Sequence, residues 1–158
     1  MKKIKILNYL VIVTLLINVV WFTRNLFHLD VALKIVSNVT LYEYSFMREY
    51  GIQIHMFFTF LFIIGIFLVQ RGLYNIVKKG FFNNKSKSLF RKGGILFIIS
   101  GLCPFIINVV IPVFEGRNFF EMFIGNDFLT LTIGLSIYLT ADLIQDGSLL
   151  KQENELTI

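Results

Sequence analysis

The chain has 158 residues, of which 56% are hydrophobic and 18 are Phe, and it carries a formal net charge of +5. That length allows one domain, and the apolar excess excludes an ordinary soluble globule, whose core could not hide it. A disulfide framework is excluded because Cys103 is the only cysteine, and a basic balance in so apolar a chain is no argument for direct nucleic-acid binding.

In chain order, the first apolar run covers about 6-23 and follows Lys2, Lys3 and Lys5. A basic start of this kind resembles a secretory signal, but Trp21, Phe22, Thr23 and Arg24 stand where small cleavage-site residues would be needed. The run is therefore expected to stay as an anchor. A soluble segment from Asn25 to Tyr50 follows, with apolar Val31, Leu33, Ile35 and Val36 among polar residues in no clean period. It is read as a short helix or strand on the membrane surface. Asn38, Val39 and Thr40 form an acceptor pattern for glycosylation there, a tripeptide that is common by chance.

The second run covers about 52-70, and residues 71-92 after it hold Arg71, Lys78, Lys79, Lys85, Lys87, Arg91 and Lys92 with no acidic residue. Gly72 to Lys79 can continue the second helix, and Gly80 can end it in a left-handed conformation. Phe81 and Phe82 suit the headgroup region, and Ser86 or Ser88 can cap a new helix. A basic helical hairpin is expected. The third run, about 93-114, contains Pro104 and Pro112, which remove the helical donors for the Ser100 and Asn108 carbonyls and predict kinks near both. Such a kink is either a hinge or a packing adjustment.

The fourth run, about 122-143, lies beyond a short turn from Glu115 to Glu121, so it must pack antiparallel to the third. Asn126, Thr130 and Gly134 mark one of its faces and Thr132, Ser136 and Thr140 another, which predicts two packed neighbours. The helical period persists beyond Asp142 and predicts a tail helix over 144-158.

Each run has about the 17 to 25 residues that cross a bilayer as a helix. With the amino terminus inside, eleven of the 15 basic residues fall on inner segments, leaving Arg24, Lys34, Arg48 and Arg117 outside. The expected fold is all-α, an integral membrane four-helix bundle with both termini cytoplasmic.

Polar residues within the runs recur at one depth. Asn18, His55, Asn108 and Asp127 each lie between about one and two turns below the outer end of their run, at ~1.5 Å per residue. One reading is a water-accessible pocket for a small ligand or proton, with His55 and Asp127 as a titratable pair. The other is a set of hydrogen bonds that holds the bundle together. No catalytic constellation, phosphate loop or metal-ligand spacing is present, so neither an enzyme nor a cofactor or metal is expected.

Two stretches carry a resemblance. Arg71-Gly72-Leu73-Tyr74-Asn75-Ile76-Val77-Lys78-Lys79-Gly80-Phe81-Phe82, with Leu89 to Gly93, and the closing segment Ala141 to Ile158, whose end reads Glu153-Asn154-Glu155-Leu156-Thr157-Ile158, resemble the bacterial domain-of-unknown-function family 2975. Phe81 stands where members of that family often have Pro. The resemblance implies a small four-helix protein of the bacterial inner membrane, commonly encoded beside a small Cro/CI-like helix-turn-helix regulator. By that association the chain would hold or modulate such a regulator at the membrane. Leu149, Leu150 and Leu156 are the foremost candidate contacts, with Lys78, Lys79, Arg91 and Lys92 second. Orientation and anionic lipid account for the cations without any partner. The alternative function is a ligand- or proton-responsive sensor or transport accessory that uses the polar layer, and oligomerisation is compatible with either.

Overall fold

The computed structural model describes the backbone of residues 2–27, 45–107 and 125–156. Four helices make up nearly all of it: α1 Lys2–Phe27, α2 Ser45–Lys79, α3 Asn84–Phe105 and α4 Gly125–Leu156. Each contains a stretch long and apolar enough to cross a membrane. The tail is no separate element, since α4 runs without a break to Leu156. Of the surface segment expected from Asn25 to Tyr50, the first residues to Phe27 close α1 and those from Ser45 open α2, whereas 28–44, the turn from Glu115 to Glu121, Pro112 and Asn108 lie outside the described residues.

Polarity is distributed inside out. On α1, Asn8 is the only buried residue, whereas Leu10 and Val20 are 59% and 66% exposed. On α4, Leu129, Leu139 and Leu143 are exposed as well. Hydrocarbon is a good solvent for Leu and a poor one for an amide, so an amide that turns inward and leucines that turn outward suit a lipid surround.

The helices alternate in direction, and each packs chiefly on its sequence neighbours. Glycines set the spacing. A Cβ on Gly94 would stand 2.8 Å from the Tyr138 nitrogen, one on Gly134 2.7 Å from the Ile98 nitrogen, and one on Gly101 2.5 Å from the Leu131 nitrogen. As the α3 position rises the α4 position falls, which is an antiparallel register with backbone against backbone. Close approach of this kind brings Cα–H groups to carbonyl oxygens and increases dispersion contact, the main attraction between helices in lipid. The α2–α3 seam is looser: Gly93 faces Val69, Gly65 faces the Phe97 ring, and Gly72 faces the Phe90 ring.

α3, not α4, therefore has two packed faces. Gly93 serves one and Gly94 and Gly101 the other. On α4 only the Gly134 face meets a neighbour of this kind. The Thr132 and Ser136 hydroxyls, expected to meet a second helix, are exposed and donate to the Phe128 and Thr132 carbonyls of their own helix at 2.8 and 2.9 Å. A hydroxyl can be satisfied in this way without any neighbour, so spacing alone overstated the packing.

The hairpin between α2 and α3 is tight. Gly80, at φ 87°, ends α2 and donates its N–H to the Ile76 carbonyl at 3.0 Å. The cap of α3 is Asn83, where Ser86 or Ser88 was expected. Its Oδ1 accepts from the Ser86 N–H at 2.8 Å, while its Nδ2 donates to the Gly80 carbonyl at 2.7 Å. Ser86 is fully buried and its hydroxyl donates across the hairpin to the Gly72 carbonyl at 3.1 Å. Asn wins the cap because its amide serves both helix ends at once.

Near its far end α3 changes winding. Pro104 has no N–H for the Ser100 carbonyl, and past Phe105 the Ile106 N–H is shared between the Cys103 and Leu102 carbonyls in a short π-helical turn. The buried apolar core, Ile66, Val69, Leu73, Ile76, Phe90, Phe97, Ala141 and Ile144, occupies the half nearest the hairpin. The other half is open.

Candidate functional site

That open half contains a cavity of about 260 Å³ to which all four helices contribute. α1 supplies Asn18 and Trp21, α2 supplies His55, Phe58, Thr59 and Phe62, α3 supplies Ser100 and Pro104, and α4 supplies Asn126, Asp127 and Thr130. Asn18, His55 and Asp127, chosen for their common depth, thus meet in one space. Asn108 lies outside the described residues.

Helical spacing explains the rest of the wall. Trp21 stands three residues from Asn18, while Phe58 and Phe62 stand three and seven from His55, so each falls on the face of its polar anchor. The Trp21 and His55 rings meet edge to face at 6.4 Å, which ties α1 to α2. Below them Phe62 meets Phe97 edge to face at 4.9 Å and closes the cavity toward the core. These aromatics went unnoticed in the sequence, where 18 Phe mask any particular one; counting by three and four from each polar anchor would have found them.

The polar groups of the wall are mostly tied to their own helices. Thr59 donates to the His55 carbonyl at 2.9 Å, Thr130 to the Asn126 carbonyl at 2.9 Å, Ser100 to the Phe97 carbonyl at 3.1 Å, and the Asn18 amide to the Thr14 carbonyl at 2.8 Å. Asp127 occupies the first turn of α4, where exposed backbone N–H groups favour a carboxylate. A second polar contact was not anticipated: Gln70 Nε2 donates to Asn8 Oδ1 at 3.5 Å, joining α1 and α2 nearer the hairpin. Among the described residues no group of three or more His, Cys, Asp or Glu side chains is placed to hold a metal.

At the opposite end the loop and the tail touch. Gly147 of α4 faces the Phe82 ring so closely that a Cβ there would overlap it. Phe81 packs edge to face on Phe82 at 5.3 Å. Leu149 and Leu150, one turn further on, are 49% and 61% exposed. The Leu156 side chain lies outside those described. Lys79 and Lys92 are exposed, and Lys78 stands 4.7 Å above the Tyr74 ring. Arg91 is engaged within the bundle: its Nε and Nη2 donate to the Tyr138 hydroxyl of α4 at 3.2 and 2.9 Å.

Four apolar helices, the Gly80 hairpin and the closing segment that meets Phe82 are spread along the whole chain, and so is the likeness to known sequences. The profile of a family described as "Protein of unknown function (DUF2975)" matches residues 7–158. The chain belongs to that family. The description of DUF2975 assigns no activity. No curated protein and no solved structure matches the chain.

Proposed function

We propose that this DUF2975 protein is a multi-pass protein of the bacterial inner membrane, with both termini cytoplasmic, that acts as a receptor for a small ligand. The observation that carries the receptor reading is the cavity at which Asn18, His55 and Asp127, from three different helices, share one space with an aromatic wall. Hydrogen bonding between helices alone would draw these groups together without leaving room for a ligand, and about 260 Å³ is left.

Protein extracted from its native membrane and weighed intact by native mass spectrometry should carry a small non-lipid adduct. Thr59→Phe, which fills the cavity, should lose it. An adduct-free wild type, or an adduct that Thr59→Phe retains, sinks the reading.

Orientation rests on the basic hairpin. Reporter fusions at Lys3, in the hairpin at Lys85 and after Ile158 should all report the cytoplasm. A periplasmic signal from any of them overturns the arrangement.

A second reading is favoured by the seat of Phe82 on Gly147, which brings loop and tail into contact, and by the exposure of Leu149 and Leu150 further along α4. On this reading the cytoplasmic end of α4 holds a small Cro/CI-like helix-turn-helix regulator, and ligand occupancy shifts the balance between holding and release. The family association supports it by analogy only. Affinity purification from native membranes should enrich such a regulator, and a Leu149→Asp, Leu150→Asp double variant should lose it. Enrichment no greater than for an unrelated membrane protein ends this second reading and leaves the first untouched.

A further inference from the structure

α2 carries a lane of rings and cations on the face turned away from the core. Phe60, Phe67, Arg71, Tyr74 and Lys78 follow one another at helical spacing and lie along one side of the helix. All five are exposed, and the lane runs opposite the face that buries Val69 and Ile76. Arg71 lies over the Phe67 ring at 5.4 Å and Lys78 over the Tyr74 ring at 4.7 Å.

The direction of these two cations is informative. A long cation near the end of a span ordinarily extends its charge toward water. Side chains on a helix tilt toward its N-terminus, and α2 leaves the membrane by its C-terminus, at the hairpin. Arg71 and Lys78 each fold back by one turn, toward the apolar part of their own span. This holds whichever side of the membrane the hairpin occupies. Arg91, by contrast, is taken up by the Tyr138 hydroxyl.

Depth decides which counter-charge can reach them. The apolar stretch Gln53–Lys79 has 27 residues, about 40 Å at 1.5 Å per residue, against ~30 Å of hydrocarbon. Its ends therefore stand in the headgroup layers, where the abundant anions are lipid phosphates. The sequence from 71 to 92 has no acidic residue to neutralise the pair from within the hairpin.

We propose that this lane is a binding site for one anionic phospholipid. The phosphodiester meets the Arg71 guanidinium, whose fork presents two N–H groups to two phosphate oxygens. Lys78 adds a second positive charge from the hairpin side, and the acyl chains run along Phe67 and Phe60. A zwitterionic lipid would bring its own cation beside Lys78, so the site favours a headgroup without one, such as phosphatidylglycerol. The site is separate from the cavity and does not rest on the receptor reading.

Delipidated full-length protein in detergent micelles is offered equimolar phosphatidylglycerol and phosphatidylcholine with the same acyl chains. Native mass spectrometry then weighs the lipid bound to the intact protein. Phosphatidylglycerol should bind first by at least about tenfold, because each basic residue near anionic lipid contributes about fivefold. Arg71→Gln with Lys78→Gln should reduce the preference to about twofold or less on the same scale. Lys79→Gln with Lys85→Gln removes equal charge from exposed positions off the lane and should leave the preference unchanged. Excess glycerol phosphate should not displace the lipid, since it has no acyl chain to lay on the rings.

Equal uptake of the two lipids overturns the site. Equal losses from the two double variants also overturn it, because diffuse positive charge would then be the cause. Displacement by glycerol phosphate overturns the lipid as occupant and identifies a soluble phosphate instead. If the Arg71, Lys78 double variant fails to fold, Arg71→Lys decides: it keeps the charge and loses the fork, and should weaken the preference. An unchanged preference in Arg71→Lys overturns the phosphate contact.

Discussion

At the residue scale the outcome of a substitution depends on what faces it. Gly101 faces the backbone of α4, with a Cβ placed 2.5 Å from the Leu131 nitrogen and 2.8 Å from the Asp127 carbonyl oxygen. Backbone within a helix cannot step aside, so the two helices must part. Gly65 faces the edge of the Phe97 ring at 3.2 Å, and a ring can turn by a few degrees. Gly101→Ala should therefore destabilise the fold by about 1 to 3 kcal/mol, the range for overpacking a close interface. Gly65→Ala should cost under ~1 kcal/mol by the same reasoning. Reversible unfolding in mixed micelles compares them, and equal losses would show that the α3–α4 approach is no closer than the α2–α3 one. The sequence displays both glycines alike. Which of them faces backbone depends on the rotation of α3, and that is set by packing.

At the element scale the hairpin is held by two polar side chains, Asn83 and Ser86. Asn83 bonds to both helix ends, and Ser86 bonds across to Gly72. Asn83→Ala removes an N-terminal cap and a tie to the Gly80 carbonyl together, and should cost about 1 to 2 kcal/mol, the upper part of the range for caps. Asn83→Ser can restore the cap and is too short for the second bond, so it should recover about half of the loss. Full recovery would mean that the tie to Gly80 contributes nothing. The end of α2 at Gly80 was legible because only glycine takes a positive φ without strain. The start of α3 was not, because four of the residues from Asn83 to Ser88 can cap a helix and tertiary contact decides among them. Burial of Ser86 beneath Gly72 removed it from the choice.

At the scale of the whole molecule the two halves differ in kind. The hairpin half is packed with Ile66, Leu73, Ile76, Phe90 and Ile144, whereas the far half holds the open cavity. Amide hydrogen exchange in lipid discs should accordingly be slowest around 66–76, 90–97 and 141–144, and faster at 55–59 and 126–130, where fewer buried contacts oppose local opening. Uniform protection along the helices would count against this division. Four apolar runs and their lengths were plain in the sequence, since a bilayer imposes both. The shared depth of Asn18, His55 and Asp127 could also be read, because a fixed rise per residue converts position into depth. Facing direction could not. An all-round apolar helix such as α1 gives no period by which to orient it, so the burial of Asn8 and its contact with Gln70 emerged only from the folded chain.

The backbone-to-backbone seam between α3 and α4 has a mechanical corollary. Side chains that interdigitate can change rotamers and let two helices slide, but a seam at Gly94, Gly101 and Gly134 leaves no such bearing between them. The pair is expected to move as one beam. Ser100, Pro104, Asp127 and Thr130 stand at one end of that beam, in the cavity wall, and Gly147 stands at the other, beneath Phe82. The 20 helical steps of α4 from Asp127 to Gly147 make an arm of about 30 Å at ~1.5 Å per residue. A tilt of only about 4° at the cavity carries the far tip through ~2 Å over such a length, enough to unseat an aromatic ring from a glycine.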